Sequence, residues 1–324
     1  MRCLALAFVV LAIAGCGEQR GFLDRYVDDD GRVVRHDQGG DTVSEGQAYG
    51  MLLAVAADDE ERFARVWDWT RTHLRRPDGL LAWRWAGGRV VDDEPAADAD
   101  LDAARALALA ADRFQEPRYR DAAQTLKRAI VAHETAWAAD RPVLVAGPWA
   151  RSEAVVNPSY WSPKAFQQLG FEKVGESSRQ LTERLIAAGL PPDWARVTAS
   201  GIEPSGPPSG GEASYSYDAV RITVRLAESC DPADRALAAR LWPRLREQPG
   251  IVPRALDGTP AGGSETPAAL AGAAAAAWAA GDRDAARELL DRAQALDEDH
   301  PTYYGAAWIA LTRAMLETGS LGSC

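Results

Sequence analysis

The chain has 324 residues, 26% charged and 47% apolar, an ordinary globular composition with enough apolar mass for a substantial core. Its 36 Lys and Arg stand against 47 Asp and Glu, a net charge of −11. No basic stripe offsets the acids, which argues against a duplex nucleic acid as partner and leaves an uncharged polymer admissible.

The first sixteen residues read as an address. Arg2 gives a positive start, Leu4 to Ala14 is apolar, and the run is too short to span a bilayer as a mature helix. Ile13, Ala14, Gly15 and Cys16 resemble the lipobox of bacterial lipoproteins, in which the cysteine is lipidated and becomes the first mature residue. An ordinary cleaved signal, with no role for Cys16, is the simpler alternative. Gly17 follows Cys16 where an Asp would argue for inner-membrane retention, so the expected location is the outer membrane, facing the periplasm. Cys230 and Cys324 then remain, either as one disulfide or as two free thiols. The four histidines are scattered, and neither a metal site nor a cofactor is expected.

From residue 45 onward the apolar pattern has helical period. It predicts helices over 45–57, 59–75, 98–113, 117–136, 162–169, 175–188, 216–228, 231–246, 265–280, 282–296 and 302–317. Strand-like runs are short, as at Val143 to Val145. Gly- and Pro-bearing breaks separate the helices, and the Gly/Pro/Ser-rich stretch 201–213 reads as a loop forming a functional wall. With no dividing linker, a single all-α domain over 22–318 and a short tail, 319–324, are expected. The segment 277–299 has the rhythm of tetratricopeptide-like pairs, but no 34-residue period recurs.

Three segments place acids at predicted helix starts. Ser44 and Gln47 read as a capping box around Glu45, and Gly46 and Gly50 leave one helix face bare for close approach by a substrate or another helix. Asp98 and Asp100 precede the apolar run from Leu101. Tyr217 and Asp218 precede a helix in which Arg221, three residues on, shares the side of Asp218. Each has a bland account: acids suit the dipole of a first turn, and an Asp–Arg pair at this spacing is often a surface ion pair. Together they match a different need. Cleavage of a sugar bond requires two carboxyl groups in opposite protonation states, with flat apolar faces to hold the ring. Tryptophan is abundant, at 11. Trp83, Trp85, Trp149 and Trp161 fall in or beside breaks, where they can act as stacking platforms, whereas Trp67 and Trp69 read as core. Asn157 to Tyr160 is a turn carrying an aromatic hydroxyl.

The ordered series Ser44–Gly50, Ala97–Leu101, Asn157–Tyr160 and Tyr217–Arg221 resembles glycoside hydrolase family 8, above all the periplasmic endoglucanases of bacterial cellulose synthase operons. The resemblance covers about residues 22–318. It implies an (α/α)6 toroid of six helix pairs and inverting cleavage of β-1,4-glucan linked to cellulose synthesis. It further implies Glu45 as general acid, Asp218 as general base and Asp98 as the carboxylate that grips the distorted sugar. Tyr160 and Arg221 would position water and base, and Trp83, Trp149 and Tyr217 would touch sugar. Ala48, Ala97 and Ala103 depart from the family's usual Ser, Ser or Thr, and Ile or Met, which bears on subsite shape. Two alternatives accompany this reading: a non-catalytic glycan-binding or scaffold lipoprotein, and a hydrolase of xylan, chitosan or mixed-linkage glucan on the same fold.

Overall fold

Two kinds of helix alternate along the chain in the computed structural model, which describes residues 19–322 and 324. The predicted signal, with Cys16, lies outside the described residues. Helical backbone over 19–26 (α1) precedes α2 (Ser44–Ala56), α3 (Glu60–His73), α4 (Ala97–Arg113), α5 (Pro117–His133), α6 (Pro163–Leu169) and α7 (Glu172–Ala188). Then follow α8 (Val220–Glu228), α9 (Pro232–Leu245), α10 (Pro267–Ala279), α11 (Arg283–Asp299) and α12 (Tyr303–Arg313), the last prolonged by a π-helical turn, Ala314–Thr318. In α2 every residue except Glu45 is buried, and in α8 every residue is buried. Small and apolar side chains all round, as in the alanine run of α10, suit such burial, while the buried charges of α8 are each paired with α4. By contrast α5 buries only the stripe Tyr119, Ala123, Leu126, Ala129 and Ile130, and α11 the stripe Ala286, Leu289, Leu290, Ala293 and Asp297. Those are helices with one face in water.

Packing follows this division. α2 lies on α4, α4 on α6, α6 on α8, α8 on α10, α10 on α12, and α12 returns to α2. α3, α5, α7, α9 and α11 pack against the buried helix that precedes each in sequence. α1 reaches α12 through Phe22 and Tyr26, whose rings meet Tyr303, and reaches α3 through an Asp24–Arg62 ion pair.

Connections leaving α2, α4, α6, α8 and α10 are two or three residues long, whereas those entering these five are long and hold the strands; α12 is entered by a three-residue link, 300–302. β1 (Thr42–Val43), β2 (Arg84–Ala86) and β3 (Arg89–Asp92) form one antiparallel sheet. β4 (Thr135–Ala138) pairs with β5 (Arg141–Leu144), and β6 (Val155–Val156), β7 (Trp194–Thr198) and β8 (Gly201–Ser205) form a second three-stranded sheet in that order. β9 (Ile251–Arg254) and β10 (Pro260–Glu265) make the last hairpin. The elaborated connections therefore feed the N-termini of α2, α4, α6, α8 and α10.

Several expectations change. Helix 117–136 stops at His133, and its last residues enter β4. Residues 216–219 form a turn ahead of α8 rather than its first turn. The stretch 201–213 is a strand as far as Ser205; Pro204 is tolerated there because β8 is an edge strand. The capping box is absent. Val43 is the N-cap of α2, and the Ser44 hydroxyl has no hydrogen-bond partner. Gln47 instead accepts from Val33 N at 2.5 Å and donates to Thr70 Oγ1 at 2.8 Å, tying the 31–33 loop and α3 to α2. Both bare positions of α2 are filled by protein. A Cβ at Gly46 would lie 2.9 Å from the Tyr303 hydroxyl, and one at Gly50 2.9 Å from Val33. Cys230 and Cys324 are joined as a disulfide, with Cα atoms 5.3 Å apart.

Candidate active site

Glu45, Asp98 and Asp218 come from the starts of α2, α4 and α8, and one side chain gathers them. Arg221, in the first turn of α8 and 1% exposed, donates through Nη1 to Glu45 Oε1 and Asp98 Oδ2, both at 2.8 Å. Through Nη2 it donates to Asp218 Oδ1 at 2.8 Å and Ser159 Oγ at 2.7 Å. Glu45 and Asp218 thus bind different nitrogens, and the guanidinium separates them. The Tyr160 ring lies 5.3 Å from the guanidinium carbon. The pair expected from local spacing, Asp218 with Arg221, is real, but it is one arm of a five-partner hub that also takes in the Tyr49 hydroxyl, 3.2 Å from Nη1.

The second oxygen of Asp218 accepts from Asn157 Nδ2 at 2.8 Å. Asn157 in turn accepts the Ser159 hydroxyl at 2.7 Å, closing a ring of hydrogen bonds from Arg221 through Ser159 and Asn157 to Asp218. Asn157 and Ser159 belong to the predicted turn, yet only Tyr160 was singled out there. Asn and Ser flanking Pro158 were the available signal.

Burial sets the protonation of this cluster. The Glu45 carboxyl, 18% exposed, is pushed up to about 7, chiefly by desolvation. Arg221 and the Tyr49 hydroxyl, which donates to Oε1 at 2.6 Å, pull down, while Asp98 and Asp218 push further up. Asp98 is raised for the same first reason, burial, against the pull of Arg221. Asp218 is the most open of the three, its side chain 31% exposed. The arrangement offers one carboxyl able to hold a proton near neutral pH and, across a guanidinium, a second with a hydrogen-bond donor on each oxygen. Such a pair can give a proton at one point and take one at another.

Glu45 and Asp218 line a cleft of about 780 Å³ together with Tyr217, His300, Thr302 and Tyr304. Of the predicted sugar contacts, Tyr217 is on this wall and 52% exposed. Trp83 and Trp149, 38% and 43% exposed, lie outside that lining. The Trp83 carbonyl accepts from Ser44 N at 2.9 Å, and Trp149 packs on Trp194, which meets Tyr160 edge-on. Two other tryptophans near breaks are not platforms. Trp161 is buried, with Nε1 donating to Leu144 O at 2.9 Å, and Trp85 packs against Trp69 and under Arg32. Trp67 and Trp69 are core, as expected.

Asp100 serves a different purpose from Asp98. It accepts from Leu81 N at 3.0 Å and faces Glu134, whose oxygens meet no protein N–H or hydroxyl donor. Both are fully buried, and burial pushes both far above the usual carboxyl range. Two more residues went unread. Tyr304 donates its hydroxyl to the Tyr217 carbonyl at 2.8 Å, and Asp193 holds the turn that carries Asp218.

Comparison with known proteins converges on one family. Glycosyl hydrolases family 8 matches residues 2–315. A probable endoglucanase of Novacetimonas hansenii is 34% identical over 240 residues, 68% of this chain and 70% of its own. The solved structure of an endo-beta-1,4-glucanase from Acetobacter xylinum superposes with a TM-score of 0.76 at 27% identity, covering 94% of this chain and 99% of that one. A beta-1,3-1,4-glucanase of Paenibacillus sp. X4 shares the fold, with a TM-score of 0.82 at 18% identity over 98% of this chain and 93% of that one. An acid cluster assembled at helix starts and a family match over nearly the whole length lead to the same place: the chain belongs to glycosyl hydrolases family 8.

Proposed function

We propose that the protein is an endo-β-1,4-glucanase that cleaves cellulose-like chains by single displacement with inversion. The observation that carries this reading is the shared Arg221, which holds Glu45 and Asp218 on different nitrogens at one cleft. Glu45 gives its proton to the glycosidic oxygen as the bond to the anomeric carbon breaks. Asp218 takes a proton from water as the water oxygen bonds to that carbon from the opposite face. The proton returns from Asp218 to Glu45 through solvent between turnovers. Asp98 grips the sugar at the cleavage point. Burial keeps the Tyr160 hydroxyl protonated well above its ordinary range, so it serves as a donor to the attacking water. Trp83, Trp149 and Tyr217 offer aromatic faces to neighbouring rings.

The closed order of contacts among α2, α4, α6, α8, α10 and α12, each backed by an outer helix, supports an (α/α)6 toroid over 22–318. The relatives named endoglucanase support the substrate class. Export with lipid attachment at Cys16 would place the enzyme at the outer membrane, facing the periplasm, where it would act beside cellulose synthesis.

Glu45→Gln and Asp218→Asn test the assignment. Each is expected to lower release of reducing ends from carboxymethylcellulose by about 10²–10⁴-fold, with the far-UV circular dichroism unchanged. Wild-type rates in either variant would remove that residue from its role. Parallel assays on xylan, chitosan and mixed-linkage glucan test the substrate: faster release from any of them than from β-1,4-glucan would replace it. Saturable binding without new reducing ends would mark a glycan-binding scaffold.

A further inference from the structure

The helix that carries Arg221 starts without a cap of its own. Its N-cap position is Ala219, and no side chain next to it in sequence accepts a hydrogen bond there. The acceptor comes from 26 residues earlier: Asp193 Oδ1 takes the N–H groups of Ser216 and Ala219, each at 2.8 Å. The Asp193 N–H itself donates to the Ser214 carbonyl at 2.8 Å, so three bonds fix the 214–219 segment to this one residue. Asp193 has a rigid seat. Pro191 and Pro192 restrict the backbone before it, and β7 after it is paired on both edges, by β6 and β8. From the other side Tyr304 anchors the Tyr217 carbonyl. Asn157 and Arg221 orient the Asp218 carboxylate, and Arg221 also bonds the Asp218 carbonyl from within α8, through its N–H at 3.1 Å and Nε at 3.3 Å.

We propose that Asp193 is a positioning residue for Asp218, setting the place of the general base by capping the turn that carries it. This rests on the reading of Asp218 as base given above. Asp193 need not touch substrate. What the cap requires is one acceptor oxygen at one position, reached by two N–H groups. An amide oxygen of the same reach supplies it, whereas a carboxylate one methylene longer displaces the turn. The geometry therefore makes the charge dispensable and the length essential, the reverse of what an electrostatic role would require. Misplacement of a reacting group by about 1 Å costs on the order of 10²-fold in rate.

The test compares the full-length wild type with Asp193→Asn, Asp193→Glu and Asp193→Ala, measuring kcat, KM and Tm on carboxymethylcellulose. Asp193→Asn is expected to keep kcat within about threefold of wild type, while Asp193→Glu and Asp193→Ala lose about 10²-fold in kcat with KM changed less than about threefold. Wild-type kcat in Asp193→Glu would overturn the proposal, as would a loss in Asp193→Asn equal to that in Asp193→Glu. Should Asp193→Ala not fold, the Asn and Glu variants decide alone. A loss of Tm across the three variants with kcat unchanged would reduce Asp193 to a structural cap. An inactive wild type overturns the glucanase reading, and this assignment with it.

Discussion

Glu45 occupies a position where two effects oppose each other. The first turn of α2 favours a negative charge, and Arg221 and Tyr49 both favour the carboxylate. Desolvation outweighs them and lifts the group from 4.5 to about 7. An acid works only while it holds its proton, so kcat on carboxymethylcellulose is expected to be high below about 7 and to fall as pH rises through that value. The same shift has a sign for stability. Between pH 4.5 and about 7 the folded protein keeps a proton the unfolded chain has lost, so this group's contribution declines as pH rises across that window. A pH–rate profile with no basic limb near neutrality would contradict the assignment. At this scale the sequence was partly legible. Acids at helix starts marked Glu45, Asp98 and Asp218 by type and position. The hub was not legible, because Glu45, Tyr49, Asp98 and Ser159 lie 176, 172, 123 and 62 residues from Arg221 and only the third-neighbour pair with Asp218 is local. Asn157, Ser159 and Asp193 escaped for the same reason: their work is done on a distant element.

α4 and α8 are separated by α6 in the cycle of buried helices, yet they exchange charge across the middle of the fold. Asp98 meets Arg221, Asp102 meets Arg225 at 2.7 Å, and Arg105 meets Glu228 at 3.0 Å, all buried. The spacing is four then three on both helices, which puts all three rungs on one face of each. Only the end rung reaches the cleft-lining carboxylates, through the bonds of Arg221 to Glu45 and Asp218. The inner two hold α4 and α8 in register, and so hold Asp98 against Arg221. Arg225→Met alone strands the buried Asp102 carboxylate and is expected to cost about 3–5 kcal/mol of unfolding free energy. The double variant Asp102→Leu with Arg225→Met is expected to recover most of that loss in urea denaturation. A double variant no more stable than the single one would show that the pair contributes more than charge balance. Helix positions were readable from the 3.6-residue period because long buried or striped runs dominate the chain. The strands were not. They are two to six residues long, too short for a period of two to stand out, and β8 even contains a Pro.

Contacts among the buried helices run in a cycle, and in five of them, α2, α4, α6, α8 and α10, an elaborated connection feeds the N-terminus and a short turn follows the C-terminus. Succession of helices was legible in the apolar period; a contact between α12 and α2 was implied only by the family resemblance, since no local pattern encodes a contact between the two ends of a chain. Tail anchoring was also left open by the sequence, which allowed a disulfide or two thiols. Arg105 and Gln168 both donate to the Leu321 carbonyl, and the Cys230–Cys324 bond fixes the segment beyond it across a separation of 94 residues. Cys324→Ser is expected to lower the unfolding free energy by about 2–4 kcal/mol, read from urea denaturation under non-reducing conditions, with kcat unchanged. An unchanged midpoint would mean that the tail contributes nothing to the fold. Single displacement requires Glu45 and Asp218 to act from opposite faces of one glycosidic bond. Proton NMR of a soluble β-1,4-glucan oligosaccharide during hydrolysis reads that directly: the α-anomer of the new reducing end should appear first and then mutarotate, whereas a β-anomer appearing first would contradict single displacement.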